Sequence, residues 1–559
     1  MNTSQPTSAL TKPLLHAVHL PLQATGAYTP ITLDYVAGHP QLQPFYQHAP
    51  SLEGIQQAIA MRQAYPTNRA LLVHALQRQY ENLALHPSQQ QHLQALLQPD
   101  TFTITTAHQP NIYTGPLYFL YKIIHAIKLA HYLKAQMPGY NFVPVYYMGS
   151  EDADLDELGH IFLEGEKITW QTQQSGAVGR MNTGGLTDIA DRLWGQYGHL
   201  PYARQIVDWC QQAYGQHANV QEATRYLVHQ LFAHYGLLVL VPDDATLKSV
   251  FTPIVQRELT GTFSAPLVAS TIANLGKHYK VQAAGRPINL FYLSPQGQRE
   301  RIEKEGDEYI VKALDLRFTE AEIMALAVEQ PQLFSANVIL RGLFQEMVLP
   351  NIVFIGGGGE IAYWLELKQV FEAAGVPYPV LLIRNSFLLV PPLQQQLQQR
   401  LALTEVDLFK TVDALLLQLA ARQPNGLADT MAQQEAVNAL YTLLQQQTNS
   451  IDVTLKPYVA ALHTKTLQGL QNLQKKWQRA QKQKLHTEQQ QLEKLKQVLF
   501  PNGSLQERTE NGLPFLSQYG LSFLHLIYEA TMPLQSVMGV VYLPPTLLPD
   551  DDAQVRDSK

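Results

Sequence analysis

The fold class can be predicted from residues 101–148, TFTITTAHQPNIYTGPLYFLYKIIHAIKLAHYLKAQMPGYNFVPVYYM. Its first residues, Thr101–Thr106, are rich in β-branched side chains and predict a strand, and a second strand is predicted over Phe142–Met148. Between them, Pro116 begins an apolar stretch with helical spacing, for which Thr114 is the candidate N-cap. A strand, a helix and a strand in this order predict a βαβ unit with parallel strands.

The same alternation returns twice further along the chain. Gly236–Val241 predicts a buried strand, and Ala245–Leu259 predicts the helix that follows it. Asn351–Ile355 predicts another strand, followed by four glycines, a helix from about residue 360 to 374, and a strand over Pro379–Ile383. This alternation predicts an α/β fold built on an open parallel sheet with helices on both faces.

The composition changes at Pro391, after which glycine becomes rare and leucine and glutamine dominate. Leucines at nearly seven-residue spacing between Leu470 and Leu499 predict a long helix in an antiparallel helical hairpin or coiled coil. About 40 residues would extend roughly 60 Å, which suits a projecting arm or a dimer contact. We expect a catalytic core over residues 1–390 with insertions near 160–235 and 265–335, a helical coiled-coil domain over 391–504, a helical segment over 505–548 that returns to the core, and a mobile tail over 549–559.

The overall composition narrows the class of protein. Of the 559 residues, 46% are hydrophobic, and the net charge of −6 gives no general argument for binding nucleic acid or a membrane. The lysine-rich long helix has few aromatic residues between its charges, which favours a solvated coiled-coil face over a nucleic-acid site. The single cysteine, Cys210, excludes an intrachain disulfide, and its amphipathic surroundings indicate packing. Without a signal-peptide pattern or a long apolar run, the expected location is the cytoplasm.

Polar residues follow three of the predicted strands, at the edge where open α/β sheets bind ligands. After the first strand come His108, Gln109, Thr114 and Gly115. The N–H groups at the start of the following helix suit an anionic group, and the charge of His108 can change near neutral pH. Lys122, two turns into the helix, could reach back to the same place. The alternative is an ordinary capped turn with a buried, hydrogen-bonded histidine.

The second predicted strand is followed directly by Ser150, Glu151, Asp152 and Asp154. Three carboxylates and a hydroxyl at a strand end can hold a sugar hydroxyl, an ammonium group or a hydrated Mg²⁺. A solvated acidic loop that caps the next helix would have the same composition.

The third cluster begins with Gly356 and Gly357, the first two of four glycines that let a ligand approach the backbone closely. It matches neither a Walker motif nor the dinucleotide fingerprint. Glu360, at the start of the predicted helix, would compete with a phosphate for the same N–H groups. It therefore favours a cationic or hydroxyl-bearing ligand, or a metal-bridged nucleotide. Tyr363 and Trp364 follow, and such residues belong to the core more often than to a binding site.

Arginines flank this cluster. Arg384 follows the last predicted strand, so it should point into the same crevice together with Asn385, and Arg341 precedes the glycines. A guanidinium binds a carboxylate or a phosphate through two parallel hydrogen bonds. Arg180, beside glycines, is a further candidate, and any of these arginines could instead form a structural ion pair.

The order of these motifs resembles the bacillithiol-biosynthesis cysteine-adding family, from about Thr105 to Gly520. The resemblance implies a Rossmann-like core similar to HIGH-type nucleotidyltransferases, with connecting insertions and a coiled-coil domain used for dimerisation. The residues that carry it are His108-Gln109, Thr114-Gly115-Pro116, Lys122, Ser150-Glu151-Asp152, Asp154, Leu349-Pro350-Asn351, Gly356-Gly357, Glu360, Tyr363-Trp364, Arg384-Asn385-Ser386, Leu505-Gln506-Glu507-Arg508 and Asn511.

The resemblance implies a ligase that adds L-cysteine to the amino group of glucosaminyl malate, the last step of bacillithiol biosynthesis. The cysteine carboxyl must be activated, for which ATP or another adenine nucleotide with Mg²⁺ is the candidate cofactor, and the amine must lose a proton. No metal-ligating residues are identified. The expected partners are cysteine, glucosaminyl malate and a second copy of the chain, with no nucleic acid and no membrane.

The residues expected to be catalytic are His108, which would stabilise negative charge at the reacting carboxyl, and Glu151, Asp152 and Asp154, one of which would be the base. Arg341, Arg384 or Lys122 would meet the malate carboxylates. The substrate-binding candidates are Gln109, Thr114, Gly115, Lys122, Ser150, Arg341, Gly356, Gly357, Glu360, Tyr363, Arg384 and Asn385. Two alternatives stay open: a nucleotidyltransferase or amide ligase with another amine acceptor, and a non-enzymatic coiled-coil scaffold.

Overall fold

A computed structural model describes residues 16–282, 285–423 and 428–545. The chain divides into two units, of which the second is Pro391–Gly503 and the first is the rest of the chain. The segment after Gly503 therefore belongs to the first unit. The tail expected over residues 549–559 lies outside the described residues.

The strands of the first unit form one central sheet and several small ones. The described strands are β1 (His16–Pro21), β2 (Thr101–His108), β3 (Asn141–Met148), β4 (His160–Leu163), β5 (Glu166–Thr169), β6 (Leu238–Leu240), β7 (Leu290–Leu293), β8 (Arg299–Arg301), β9 (Glu303–Glu305), β10 (Glu308–Val311), β11 (Leu316–Thr319), β12 (Phe334–Ala336), β13 (Asn351–Gly356), β14 (Val380–Ile383), β15 (Ser386–Val390) and β16 (Val537–Tyr542).

Helices cover the central sheet and fill the connections. Those of the first unit are α1 (Pro30–Val36), α2 (Leu52–Gln63), α3 (Arg69–Gln79), α4 (Pro87–Ala95), α5 (Tyr118–Gln136), α6 (Leu155–Leu158), α7 (Thr187–Tyr197), α8 (Ala203–Gln216), α9 (Val220–Phe232), α10 (Ala245–Ser249), α11 (Thr252–Gly261), α12 (Ser264–Leu275), α13 (Glu320–Glu329), α14 (Val338–Val348), α15 (Gly358–Trp364), α16 (Lys368–Ala374), α22 (Gln506–Thr509), α23 (Leu513–Tyr519) and α24 (Ser522–Ala530). Those of the second are α17 (Pro392–Arg400), α18 (Val412–Ala421), α19 (Met431–Ile451), α20 (Lys456–Gln483) and α21 (His486–Leu499).

The central sheet has the order β14-β13-β2-β3-β6, and all its pairs are parallel, as predicted. The predicted βαβ unit is confirmed as β2, α5 and β3. Helix α5 ends at Gln136 because Pro138, two residues on, disfavours helical backbone before it. The chain leaves β2 toward β3 and leaves β13 toward β14, so the direction of the sheet reverses between β2 and β13. Open α/β sheets bind ligands at such a reversal, at the carboxyl ends of the strands.

Two predicted helices are each divided in the structure. The helix predicted over 245–259 is α10 and α11, because Pro253 stands in the first turn of a new helix. The helix predicted over 360–374 is α15 and α16. It is interrupted where the N–H groups of Glu366 and Leu367 bond three residues back instead of four.

The insertions carry small antiparallel pieces rather than extensions of the central sheet. The hairpin β4-β5 and helices α7–α9 lie between β3 and β6 in the chain. The sheets β12-β7-β8 and β11-β10-β9 lie between β6 and β13. These connections approach the carboxyl ends of the central strands, where the candidate site lies.

The prediction that the C-terminal segment is helical is wrong for its last part. Strand β16 follows α24 and lies between β1, to which it is antiparallel, and β15, to which it is parallel. Neither β1 nor β15 was predicted. These strands are far apart in the chain and depend on each other for their backbone hydrogen bonds, so no local pattern marks them.

In the second unit, α19 and α20 form the predicted antiparallel hairpin. The hydroxyl of Thr430 donates to Gln474 at 3.0 Å, and Tyr441 pairs with Thr466 at 2.9 Å. The single long helix predicted to reach residue 500 is instead α20 and α21. The break falls between Gln481 and Glu488, polar residues at positions where the heptad pattern requires apolar ones. Among the helices of the described ranges, none has the length and apolar character needed to cross a membrane.

Candidate active site

A cavity of about 690 Å³ opens at the carboxyl ends of the parallel strands. Its lining includes the end of β2 and the segments that follow β3, β13 and β14, so it occupies the reversal between β2 and β13. Its volume lies within the range of roughly 300–1,000 Å³ that is usual for small-molecule sites. Fold and cavity together indicate a ligand site.

The cavity brings together most of the residues singled out in the sequence. Those that line it are His108, Gln109, Ser150, Glu151, Asp152, Arg341, Gly357, Glu360, Tyr363 and Arg384. Those outside the lining are Thr114, Gly115, Lys122, Asp154, Gly356 and Asn385.

The charges of the lining change sign across the sheet. Glu151 and Asp152 follow β3, His108 ends β2 beside it, and Arg384 follows β14 at the opposite edge. Arg299 lies close enough to Glu151 and Asp152 for their charges to interact, so both signs are present beside β3. We call the part of the cavity that holds Glu151 and Asp152 the acidic end, and the part that holds Arg384 the basic end.

Glu151 is held by a chain of charges at the acidic end. Its carboxylate pairs with the ammonium of Lys248 and accepts a hydrogen bond from Ser335 at 2.6 Å. Lys248 also lies 3.5 Å from Asp243, which Arg180 binds through two hydrogen bonds of 2.6 and 2.7 Å. Arg180 is therefore a structural ion-pair partner. Glu151 is therefore held in place, with its carboxylate committed to Lys248 and Ser335.

Asp152 is differently placed. It is half-buried and accepts a hydrogen bond from the side-chain amide of Gln109 at 3.1 Å. Within the described ranges it makes no salt bridge, and Arg299 acts on its charge from beyond salt-bridge distance. Of the carboxylates predicted to be catalytic, Asp152 is the one best placed to accept a proton from a bound amine.

Asp154 does not reach the cavity. Its carboxylate accepts the backbone N–H of Glu157 at 3.1 Å and caps α6, which is the helix-capping alternative given for this loop. Glu157 itself lines the cavity and was not predicted. Burial, with help from Asp154 and Asp152, raises the pKa of Glu157.

His108 is neutral at physiological pH. Burial, with Lys122, Arg341 and Arg384 nearby, lowers its pKa well below 6.5. The expectation that its charge changes near neutral pH is therefore wrong. The ring packs against Tyr118 with centroids 5.3 Å apart, and its Nε2 is buried without a hydrogen-bond partner in the described structure. A neutral imidazole can donate one N–H to a ligand oxygen.

Lys122 lies behind the cavity wall. Its ammonium donates to the Ala107 carbonyl and to the Glu360 carboxylate, the latter at 2.6 Å. The same carboxylate oxygen accepts the N–H of Gly357 at 2.9 Å. The start of α15 is thus already occupied by an anion of the protein itself, which argues against a phosphate there.

The turn before α5 differs from the prediction. Tyr113, Thr114 and Gly115 all have positive φ, so Thr114 cannot cap the helix, which begins at Tyr118. Two of them are non-glycine residues in the left-handed region, which stores strain. The side-chain amide of Asn511 donates to the carbonyls of Tyr113 and Gly115 at 2.8 and 2.7 Å and holds the turn. The turn supports the site from behind.

At the basic end, two arginines keep donors directed at the cavity. Arg341 donates to the hydroxyl of Tyr363 at 2.6 Å. Arg384 gives both terminal nitrogens to Glu507, and its Nε is buried with no hydrogen-bond partner in the described ranges. Asn385, next in the chain, bonds the backbone of Met532 and Gln535 and is structural.

Several lining residues were not predicted from the sequence. Arg299 and Phe291 come from the insertion, where the guanidinium lies 4.1 Å from the ring centroid and donates to Ser335 at 2.9 Å. Tyr28, near the N-terminus, donates to Ser386 at 2.6 Å. No sequence pattern marks these residues, because only the folding of the chain brings them to the cavity. Arg508, by contrast, lies in a motif that the resemblance singled out.

Two family models together match almost all of the sequence. The N-terminal Rossmann-like domain of bacillithiol biosynthesis BshC matches residues 15–385, and the C-terminal coiled-coil domain of BshC matches residues 387–543. The chain belongs to the BshC family. This confirms the resemblance drawn from the motifs, the Rossmann-like core with a helical C-terminal region, and the prediction of an enzyme.

Relatives of the BshC family match over nearly their whole length. A protein of Flavobacterium johnsoniae named "Putative cysteine ligase BshC" is 38% identical over 93% of this chain and 98% of its own. One of the same name from Christiangramia forsetii is 35% identical over 92% and 96%. Among solved structures, a Campylobacter jejuni chain titled "putative arginyl t-RNA synthetase" matches over 79% of this chain and 96% of its own at 12% identity. Its TM-score of 0.21 supports no structural argument.

Proposed function

We propose that this cavity joins the carboxyl carbon of L-cysteine to the amino group of glucosaminyl malate and so forms bacillithiol. The observation that carries the proposal is the order of charge, with carboxylates after β3, a neutral histidine at β2 and arginine after β14. Glucosaminyl malate carries one amine and two carboxylates, and an acidic and a basic end suit these groups. Membership of the BshC family, whose relatives bear the name of cysteine ligase, supports the same reaction.

Asp152 is the proposed base. The amine nitrogen attacks the cysteine carbonyl carbon, its proton passes to the Asp152 carboxylate, and the group that activated the carboxyl departs with the electrons of the broken C–O bond. Gln109 orients Asp152 through the 3.1 Å hydrogen bond, so the carboxylate keeps an oxygen for the amine. Glu151 contributes a fixed carboxylate that is already paired with Lys248.

His108 and Ser150 are the proposed donors to the carbonyl oxygen as negative charge develops on it. The Ser150 hydroxyl is buried, lines the cavity and has no hydrogen-bond partner in the described structure. The imidazole N–H of neutral His108 is a second donor beside it. Donors fixed before the reaction stabilise developing charge without reorganisation, and removing one typically costs about 10²–10³-fold in rate.

Arg341 and Arg384 are the proposed partners of the malate carboxylates. Both line the cavity, and each keeps donors that no group of the described residues accepts. Lys122, the third candidate from the sequence, is buried against Glu360 and supports the wall instead.

Activation of the cysteine carboxyl needs a co-reactant, and we expect ATP or another adenine nucleotide with Mg²⁺ in that role. The glycine run after β13 does not fit a phosphate, because Glu360 already accepts the Gly357 N–H and is paired with Lys122. The roles assigned to Asp152 and His108 do not depend on how the carboxyl is activated.

The second unit is the proposed homodimer contact. Its helical hairpin has large apolar side chains that are exposed, among them Leu440, Leu443, Ile451 and Tyr458. An exposed set of this kind on paired helices suits a second copy of the chain. Light scattering after size-exclusion chromatography would show a dimer for the native chain and a monomer for Leu440→Glu/Leu443→Glu.

Incubation of the purified protein with cysteine and glucosaminyl malate, with and without ATP and Mg²⁺, tests the proposed reaction. Mass spectrometry should detect a new thiol of bacillithiol mass, and Asp152→Asn protein prepared in the same way should not form it at a comparable rate. A product with another amino sugar but none with glucosaminyl malate would contradict the proposed acceptor.

A further inference from the structure

The C-terminal segment Leu505–Asn511, which we call the strap, is attached to the core through its side chains. Gln506 exchanges hydrogen bonds with the backbone of Leu389, accepting from its N–H at 2.9 Å and donating to its carbonyl at 3.2 Å. Glu507 binds the guanidinium of Arg384. These contacts fix the first half of the strap beside β15 and the basic end of the cavity.

The second half of the strap is fixed in the same way. The carboxylate of Glu510 accepts the N–H groups of Glu164 and Gly165 at 2.9 and 2.7 Å. Asn511 holds the strained turn before α5. The strap is therefore anchored on both sides of residue 508, to parts of the chain that are remote in sequence.

Arg508 is the exception within the strap. Gln506, Glu507, Glu510 and Asn511 are buried, whereas Arg508 is exposed and lines the cavity. Its guanidinium makes no hydrogen bond or salt bridge to any residue of the described ranges. An anchored backbone that presents one uncommitted arginine to a cavity suits the binding of an anion.

A second donor lies at the same end of the cavity. Arg384 lines the cavity, and its Nε is buried with no hydrogen-bond partner among the described residues, while the rest of that guanidinium is neutralised by Glu507. Arg508 is near enough to the hydroxyls of Tyr28 and Tyr118 to act against the burial that raises their pKa values to about 12. Both tyrosines line the cavity as well, so the two arginines and the two tyrosines belong to the same part of its wall.

We propose that Arg508, together with the Nε of Arg384, forms a subsite for one carboxylate of the acyl acceptor. Glu507 compensates the charge of Arg384 and Lys122 compensates that of Glu360, while Glu157 also acts on Tyr118, so the subsite has little excess positive charge. Two guanidinium donors with little excess charge suit a single carboxylate better than a polyphosphate, and a guanidinium matches a carboxylate in its planar geometry. The inference rests on the proposed function and deepens it: the acceptor must carry a carboxylate, and Arg508 selects for it.

Steady-state kinetics of Arg508→Gln with two acceptors test the subsite. With glucosaminyl malate, KM should rise about 10- to 100-fold while kcat changes little, because the lost contact is a charge-assisted hydrogen bond outside the reacting atoms. With methyl glucosaminide, which has the amine but no malate, the variant and the native enzyme should have equal kcat/KM. Arg508→Lys should recover part of the affinity. Arg317→Gln, at an exposed arginine on β11, is the matched control and should behave as the native enzyme.

An unchanged KM for glucosaminyl malate in Arg508→Gln, with an active native enzyme, would overturn the subsite. Titration calorimetry with glucosaminyl malate distinguishes failure of the subsite from failure of the proposed function. If the native protein forms no product but binds glucosaminyl malate, and Arg508→Gln weakens that binding about 10-fold or more, the subsite stands and the reaction is wrong. Equal binding by both proteins would overturn the subsite whatever the reaction.

Discussion

Glu507 holds the guanidinium of Arg384 with two hydrogen bonds, from Nη1 to Oε2 at 2.9 Å and from Nη2 to Oε1 at 2.8 Å, and both side chains are buried. The pair joins the residue after β14 to the strap, across 123 positions of sequence. It sets where the remaining donor of Arg384 points, and within the strap it leaves Arg508 as a charge that no described carboxylate pairs with.

Glu507→Gln should destabilise the protein strongly. Removing one partner of a buried ion pair leaves an uncompensated charge, which typically costs about 3–5 kcal/mol. Urea denaturation followed by fluorescence would show the loss as a lower midpoint. Arg192→Gln, at an exposed pair with Glu166, is the control and should shift the free energy of unfolding by less than about 0.5 kcal/mol. Equal effects of the two substitutions would show that the buried pair is not a stabilising contact.

Asp152→Asn should lower kcat by about 10²–10⁴-fold, because an amide cannot accept the amine proton. Asp154→Asn is the matched control, since Asp154 caps α6 outside the cavity. It should retain kcat within a few fold. If both variants turned over at the native rate, the base would have to be another group, and Glu157 would be the next to test.

His108→Asn should reduce kcat by about 10²–10³-fold without changing the shape of its pH dependence. The reason is that the pKa of His108 lies well below 6.5, so the imidazole is already neutral throughout the range from pH 6 to 8. A pH profile of kcat for both proteins checks this. Loss of an ionisation near pH 6.5 in the variant would show that His108 titrates there and would contradict the assignment.

Stability should fall as the pH is lowered from about 6.5 toward 4, in part because of His125. Burial lowers its pKa to about 4, and both ring nitrogens are engaged, with the Asn385 N–H at 3.1 Å and the Pro533 carbonyl at 3.0 Å. The unfolded chain binds the proton first, so this contribution is complete above pH 6.5 and is lost by about 1.4 kcal/mol per pH unit below it. Urea midpoints between pH 7.5 and 4.5 should fall less steeply in His125→Gln. Equal slopes in both proteins would contradict the assignment.

Cys210 should be inert in the folded protein. The thiol is fully buried on α8, and burial raises its pKa, so little thiolate forms and no reagent reaches it. Labelling with a disulfide reagent should give no reaction in buffer and one equivalent in denaturant. Fast labelling of the native protein would show that α8 opens. The prediction also means that a product thiol can be measured without interference from the enzyme.

The central part of the fold was predictable because its signals are local. The β-branched run of β2, the helical spacing of α5 and Pro138 after its end lie within one continuous stretch, and each favours its element independently. Strands β1, β15 and β16 have no such signal, since each forms only where distant chain segments meet. Gln481 and Glu488 marked a weak heptad, but the sequence alone did not show that the helix breaks between them.

The residues of the candidate site also divide into those that local sequence patterns mark and those that long-range contacts place. Residues at or just after the end of a buried strand, such as His108, Asp152 and Arg384, could be placed at the cavity because parallel strands end at one edge of the sheet. Lys122 was misplaced because its reach depends on Glu360, which lies 238 residues away. Arg299 was missed because its position is set by the folding of an insertion. Patterns of local spacing contain no information on such contacts.

The proposed reaction forms one bond between the cysteine carboxyl carbon and the amine nitrogen of glucosaminyl malate. Cysteine labelled with ¹³C at its carboxyl and glucosaminyl malate labelled with ¹⁵N at its amine, incubated with the enzyme, ATP and Mg²⁺, test it directly by NMR. The proposed reaction should give a ¹³C signal split by one-bond coupling to ¹⁵N, in a product that the Asp152→Asn enzyme forms far more slowly. A product in which the two labels are not directly bonded, or active protein that consumes cysteine without incorporating ¹⁵N, would contradict it.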